Sequence, residues 1–198
     1  MTTEIAIFQI IVLIYSAIIH EYMHGWMAER LGDNTAKDLG RLTLNPIPHI
    51  DPIGSILLPF ILIATGSSFI FGWAKPVPYN PYKLRDAKYG GAKVALAGPM
   101  ANLIVAITFG LVLRFVTSLS LEMSYFIQII VFINLLLMVF NLVPIPPLDG
   151  SKVIMPFLSA DWQKKFMMLE QYGMILVFAF VWFGFDLIIP VIYLFFSL

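Results

Sequence analysis

The chain has 198 residues, 60% of them hydrophobic and 12% charged, with 12 basic side chains balancing 12 acidic ones and no cysteine. A soluble domain is about half apolar and about a quarter charged, so the apolar excess points to a lipid bilayer as the solvent. The even charge, without a Lys- and Arg-rich stretch, excludes a nucleic-acid partner; the missing cysteines exclude disulfides and thiolate sites, leaving His, Asp and Glu for any metal.

Glu4 and the lack of a basic residue before the first apolar run do not fit a cleavable signal, so the first helix is expected to stay as an anchor. Apolar stretches follow over residues 5–27, 53–71, 94–116, 125–140 and 174–196. The first, third and fourth are near the ~20 residues that cross a ~30 Å hydrocarbon layer and predict membrane helices. The second contains Pro59, Gly66, Ser67 and Ser68, which interrupt a helix, and the fifth contains Asp186 and Pro190. A helix ending at Gly184 leaves Asp186 at the interface before a short apolar tail.

Basic residues arbitrate the topology, because cytoplasmic loops collect them. If residues 53–71 dip in and return, Arg30, Lys37, Arg41, Lys75, Lys83, Arg85, Lys88, Lys93, Lys152, Lys164 and Lys165 share one face and only Arg114 lies opposite. A full crossing splits them. The expectation is a re-entrant hairpin, with the amino terminus outside and the long loops in the cytoplasm. The predicted fold is an all-α polytopic membrane protein: a three-helix core, a re-entrant or hairpin segment and a C-terminal membrane helix, in one domain over residues 1–198.

The chemistry concentrates at His20-Glu21-Tyr22-Met23-His24, near the end of the first helix. Positions i and i+4 place both imidazoles on one face, where they can hold one Zn²⁺. Glu21 is close enough to act as a general base on water that the metal acidifies, without being a ligand. A catalytic zinc wants a third protein ligand. His49 is the remaining histidine, but Asp149 is the better candidate, because Pro144, Pro146, Pro147 and Gly150 break the backbone around it. Asn134 and Asn141, seven apart, share a helix face and suit either substrate amides or interhelical hydrogen bonds; packing is favoured for Asn134. Asn102, four after Gly98 among small neighbours, is a candidate for substrate binding or for helix packing.

The sequence resembles the site-2 protease family of intramembrane zinc metalloproteases. The resemblance rests on His20-Glu21-x-x-His24-Gly25, Gly98-Pro99-x-x-Asn102 and Asn141-x-x-Pro144-x-x-x-Leu148-Asp149-Gly150, while the run from Leu44 to Gly54 looks like the compact branch of that family. It implies one Zn²⁺ per chain, Asp149 as the third ligand, and Asn141 binding substrate backbone or supporting the oxyanion. It implies peptide hydrolysis in or near transmembrane segments of substrate proteins. By analogy, residues 53–63 are expected to offer an edge strand to an unwound substrate. A prokaryotic plasma membrane, with the site toward the cytoplasm, is the expected setting. The rival readings are a metal transporter and a noncatalytic zinc-binding scaffold, neither of which has an obvious use for Glu21.

Overall fold

A computed structural model describes residues 3–65 and 72–197, so Gly66, Ser67, Ser68 and Phe71 of the second apolar stretch lie outside the described residues. No β-strand occurs among the described residues. Helix α1 is Thr3–Arg30 and is followed by the short α2, Thr35–Asp38. A π-helical stretch, Pro52–Leu57, leads into α3, Leu58–Ala64. The long helices α4, Gly90–Phe115, and α5, Leu121–Asn141, come next. The chain ends with α6, Asp149–Ile154; α7, Ala160–Glu170; α8, Gly173–Phe183; and α9, Ile189–Phe196.

Helices α1, α4 and α5 are long and apolar enough to cross a membrane, as the sequence predicts. The Ser120 hydroxyl caps α5 by accepting from the Met123 amide, and α4 tolerates Pro99 in its interior. Buried Ala95, Ala97, Gly98, Ala101 and Ala106 give α4 a face of small residues, which lets it lie closely between α1 and α5. A hydrophobic cluster of Ala106, Val131, Leu135 and Met138, closed by Ile188 and Ile192 of the C-terminal segment, ties α4, α5 and α9 together.

The His24 imidazole on α1 reaches the Val94 carbonyl on α4, so the last turns of α1 lie against the first turns of α4. Residues 31–89 therefore leave and rejoin the bundle at one end. Within them, Trp73 N donates to the Gly54 carbonyl at 3.2 Å and Lys75 N to the His49 carbonyl at 2.8 Å. The two sides of the second apolar stretch thus meet.

One feature differs from the sequence reading. Residues 53–63 do not form an edge strand; Asp51 accepts from the Ile53 and Gly54 amides as an N-cap, and Pro52 starts a helix whose π-type turns widen it ahead of Pro59. As the sequence predicts, the stretch 174–196 breaks after α8 at Gly184, and Asp186 is exposed in the 3-10 turn before the short apolar α9. Residues 160–170 form α7, which meets α8 at 87°. Its apolar Trp162, Phe166 and Leu169 repeat at helical spacing.

Candidate metal centre

His20 and His24 lie one turn apart on α1, both buried, with their rings edge to face at a centroid distance of 4.6 Å. Asp149 arrives from the broken segment after α5. There the Ile145 amide donates to the Val143 carbonyl and the Leu148 amide to the Ile145 carbonyl, turning the chain so that α6 begins at the buried Asp149. A Cβ on Gly150 would overlap the Leu142 and Val143 carbonyls, so only glycine lets α6 start this close to the end of α5.

The neighbours of the two imidazoles assign their tautomers. Asn102 Nδ2 donates to the Ser16 carbonyl at 3.2 Å and to Asn134 Oδ1 at 2.9 Å, so Asn102 Oδ1 is the acceptor facing His20 Nδ1 at 2.6 Å. His20 therefore carries its proton on Nδ1. His24 does the same, since its Nδ1 is 2.7 Å from the Val94 carbonyl, which can only accept. Both Nε2 atoms then face Asp149 Oδ2, which lies 3.0 Å from His20 Nε2 and 3.1 Å from His24 Nε2, and in the neutral rings each offers its lone pair there.

With both imidazoles neutral, three electron-pair donors face one another, an arrangement that a cation lying among them stabilises. One ligand atom from each of the three residues lies within 4.8 Å of the others, and the atoms around a tetrahedral zinc stand ~3.3 Å apart. Gly98 on α4 keeps the space open: a Cβ there would sit 2.6 Å from both Nε2 atoms. Nitrogen and carboxylate donors, fixed tautomers and a cleared cradle all fit Zn²⁺.

Each predicted residue has a definite place. Glu21, beside His20 on α1, is half-buried, and its Oε2 accepts from the Val77 amide at 2.8 Å. His49 stands apart from the cluster: its ring is buried and Nε2 donates to the Thr43 carbonyl at 2.8 Å. Asn141, half-buried at the end of α5, donates within its own helix to the Leu137 carbonyl. Asn102 is fully buried, with its amide shared among His20, Asn134 and Ser16, which leaves it no surface to offer a substrate. Asn134 is also fully buried and bonds across helices to the Ser16 hydroxyl at 3.0 Å, as packing requires. Sequence reasoning missed Ser16, although it lies four residues before His20 on the same helix face. It missed the Val94 carbonyl and the Val77 amide as well, because backbone groups carry no residue signature.

A buried group of two imidazoles and a carboxylate, between helices long and apolar enough to cross a membrane, fits the class of intramembrane metalloenzymes. Residues 116–184 match the model of peptidase family M50. The chain is 41% identical over 174 residues to "Putative zinc metalloprotease YwhC" of Bacillus subtilis, an alignment that takes in 84% of this chain and 76% of the relative. It is 32% identical over 163 residues to "Putative zinc metalloprotease Rip2" of Mycolicibacterium smegmatis, spanning 82% of this chain and 61% of that protein. "Putative zinc metalloprotease MJ0611" of Methanocaldococcus jannaschii shares 38% identity over 109 residues, or 53% of this chain and 54% of that one. No solved structure matches the chain. The chain belongs to peptidase family M50, the site-2 protease family, and is an integral, multi-pass, intramembrane zinc metalloprotease acting on membrane proteins. Transport and scaffolding are not favoured.

Proposed function

We propose that His20, His24 and Asp149 hold one Zn²⁺ and that Glu21 is the general base for hydrolysis of peptide bonds in transmembrane segments, at the cytoplasmic face of a prokaryotic plasma membrane. The observation that carries this reading is the convergence of two Nε2 atoms and one carboxylate oxygen at 3.0 and 3.1 Å in a buried site. Bound zinc supplies Lewis acidity toward the scissile carbonyl and acidifies water.

The chain's own residues do the rest. Asn102 and the Val94 carbonyl keep the imidazole protons on Nδ1, so both Nε2 atoms stay available as donors of electron pairs. Glu21 Oε2 is held by the Val77 amide, leaving Oε1 to take the proton from the attacking water and return it to the leaving amine nitrogen. Asn141, at the mouth of the broken segment, contacts the substrate backbone or the developing oxyanion. A substrate helix hides its carbonyls in its own hydrogen bonds, so it must unwind before attack, and Gly or Pro in it favours cleavage.

Two observations support the topology. His24 lies six residues before the end of α1, so it stands ~9 Å inside the end from which the basic loops emerge. Residues 49–54 bond to residues 73–75, as a segment that dips and returns requires. The test is cleavage of a synthetic transmembrane helix by the purified, reconstituted protein. Glu21→Gln should retain zinc and lose ~10²–10⁴-fold in rate. Wild-type cleavage by that variant would remove Glu21 from the mechanism.

A further inference from the structure

Residues 72–80 form neither helix nor strand and run across the end of α1 as a strap. Lys75 and Val77 each precede a proline, which disfavours helix and holds both extended. Two glycines seat the strap. A Cβ on Gly54 would overlap the Trp73 indole, and one on Gly25 would sit 2.8 Å from Val77 Cγ1. Val77 is 5% exposed, and its amide donates to Glu21 Oε2.

What fixes the direction of that amide is the peptide just before it. Arg41 Nη2 donates to the Lys75 carbonyl at 3.0 Å and to the Pro76 carbonyl at 3.2 Å, and the Lys75 amide donates to the His49 carbonyl on the other side. The Pro76 carbonyl and the Val77 amide belong to one rigid peptide plane. A donor that holds the carbonyl therefore aims the N–H. Among the described residues no carboxylate forms an ion pair with Arg41, and its Nε is buried without a hydrogen-bond partner. A guanidinium placed without a carboxylate and at the cost of an unsatisfied donor is spent on the strap.

We propose that Arg41 is a positioning residue for catalysis: by clamping the Lys75 and Pro76 carbonyls it aims the Val77 amide at Glu21 and fixes that carboxylate beside the metal centre. The inference rests on the reading of Glu21 as the general base. Arg41 touches neither metal nor substrate and acts through one peptide plane. Its loss frees the carboxylate to rotate, which lowers turnover and leaves zinc and substrate affinity alone.

The experiment compares the full chain, purified and reconstituted, with its Arg41→Ala, Arg41→Lys and Gly25→Ala variants. Zinc per chain, kcat and KM on a transmembrane peptide are measured, together with hydrogen exchange at Val77 in the zinc-loaded protein without substrate. Arg41→Ala should keep its zinc and KM, lose about 10- to 100-fold in kcat, and exchange the Val77 amide faster by a similar factor. Arg41→Lys should recover part of both, since an ammonium can still hold a carbonyl. Gly25→Ala, whose methyl would press on Val77 Cγ1 at 2.8 Å and less closely on Leu42 and Ala36, should lower kcat and speed Val77 exchange as Arg41→Ala does. An unchanged kcat in Arg41→Ala, or an unchanged Val77 exchange, overturns the proposal. Loss of zinc overturns it too, because Arg41 would then serve the fold. Failure of the underlying reading looks different: Glu21→Gln would cleave like wild type while Arg41→Ala still accelerated exchange at Val77.

Discussion

Replacing Asn102 by alanine removes the oxygen that receives the His20 Nδ1 proton and the amide that serves Asn134 Oδ1 and the Ser16 carbonyl. All of this happens at a site with no exposed surface, so water cannot simply take over. Each buried polar group left without a partner costs about 1–3 kcal/mol; the Ser16 carbonyl keeps its helical bond, so His20 and Asn134 bear the loss, about 2–6 kcal/mol of fold stability. The effect on the metal is narrower. Without an acceptor, the His20 ring can turn or move its proton to Nε2, and loss of such an outer contact weakens zinc by about 10- to 100-fold, or about 1.4–2.8 kcal/mol. Competition against a chromogenic chelator measures that change, and cleavage at saturating zinc separates it from turnover. Asn102→Asp keeps an oxygen for His20 and should hold zinc more tightly than Asn102→Ala. A residue that binds substrate behaves in the opposite way, with zinc affinity unchanged and KM raised. Wild-type zinc affinity in Asn102→Ala would refute the orienting role.

Other perturbations separate the parts of the account. Gly98→Ala puts a methyl 2.6 Å from both Nε2 atoms and should abolish tight zinc binding while far-ultraviolet circular dichroism still shows a helical chain. Asp33, in the turn after α1, is pushed up by burial, but hydrogen bonds from Thr35 and the Asn80 amide outweigh this and hold its pKa below the ordinary 3.8. Its depressed folded pKa gives stability that is present above that value and is lost as pH falls through the folded pKa, so thermal unfolding of Asp33→Asn should vary less with pH below about 4 than wild type does. The chain has no native cysteine, so a single cysteine at Lys75 or Lys83 reports topology cleanly; labelling from the cytoplasmic side alone is expected, and labelling from outside would reverse the placement of the site.

What the sequence disclosed was local. His20, Glu21 and His24 could be placed because five residues of one helix fix their mutual geometry before any tertiary contact forms. Asp149 was legible for a related reason: prolines and a glycine announce broken backbone, and a carboxylate there has few other uses inside a membrane. The long helices α1, α4 and α5 followed from apolar length. The partners that complete the site were not legible, since His20 and Asn102 are 82 positions apart and their meeting depends on how α1 and α4 pack. The strap is a stronger case, because its functional atom is a main-chain amide that any residue but proline supplies. Residues 53–63 depart from the edge strand that the family analogy implies, because Asp51 as N-cap and Pro52 in the first turn start a helix there.

Zinc bound per chain in purified wild type and in Asp149→Ala, with the helical content of both confirmed, tests the central claim most directly. The account predicts about one zinc in wild type, as a three-ligand site requires, and a large loss in the variant, whose two imidazoles alone hold the ion weakly. Full retention of zinc by a folded Asp149→Ala would show that the ion is held elsewhere, and would contradict both the ligand set and the convergence of α1 with the broken segment after α5.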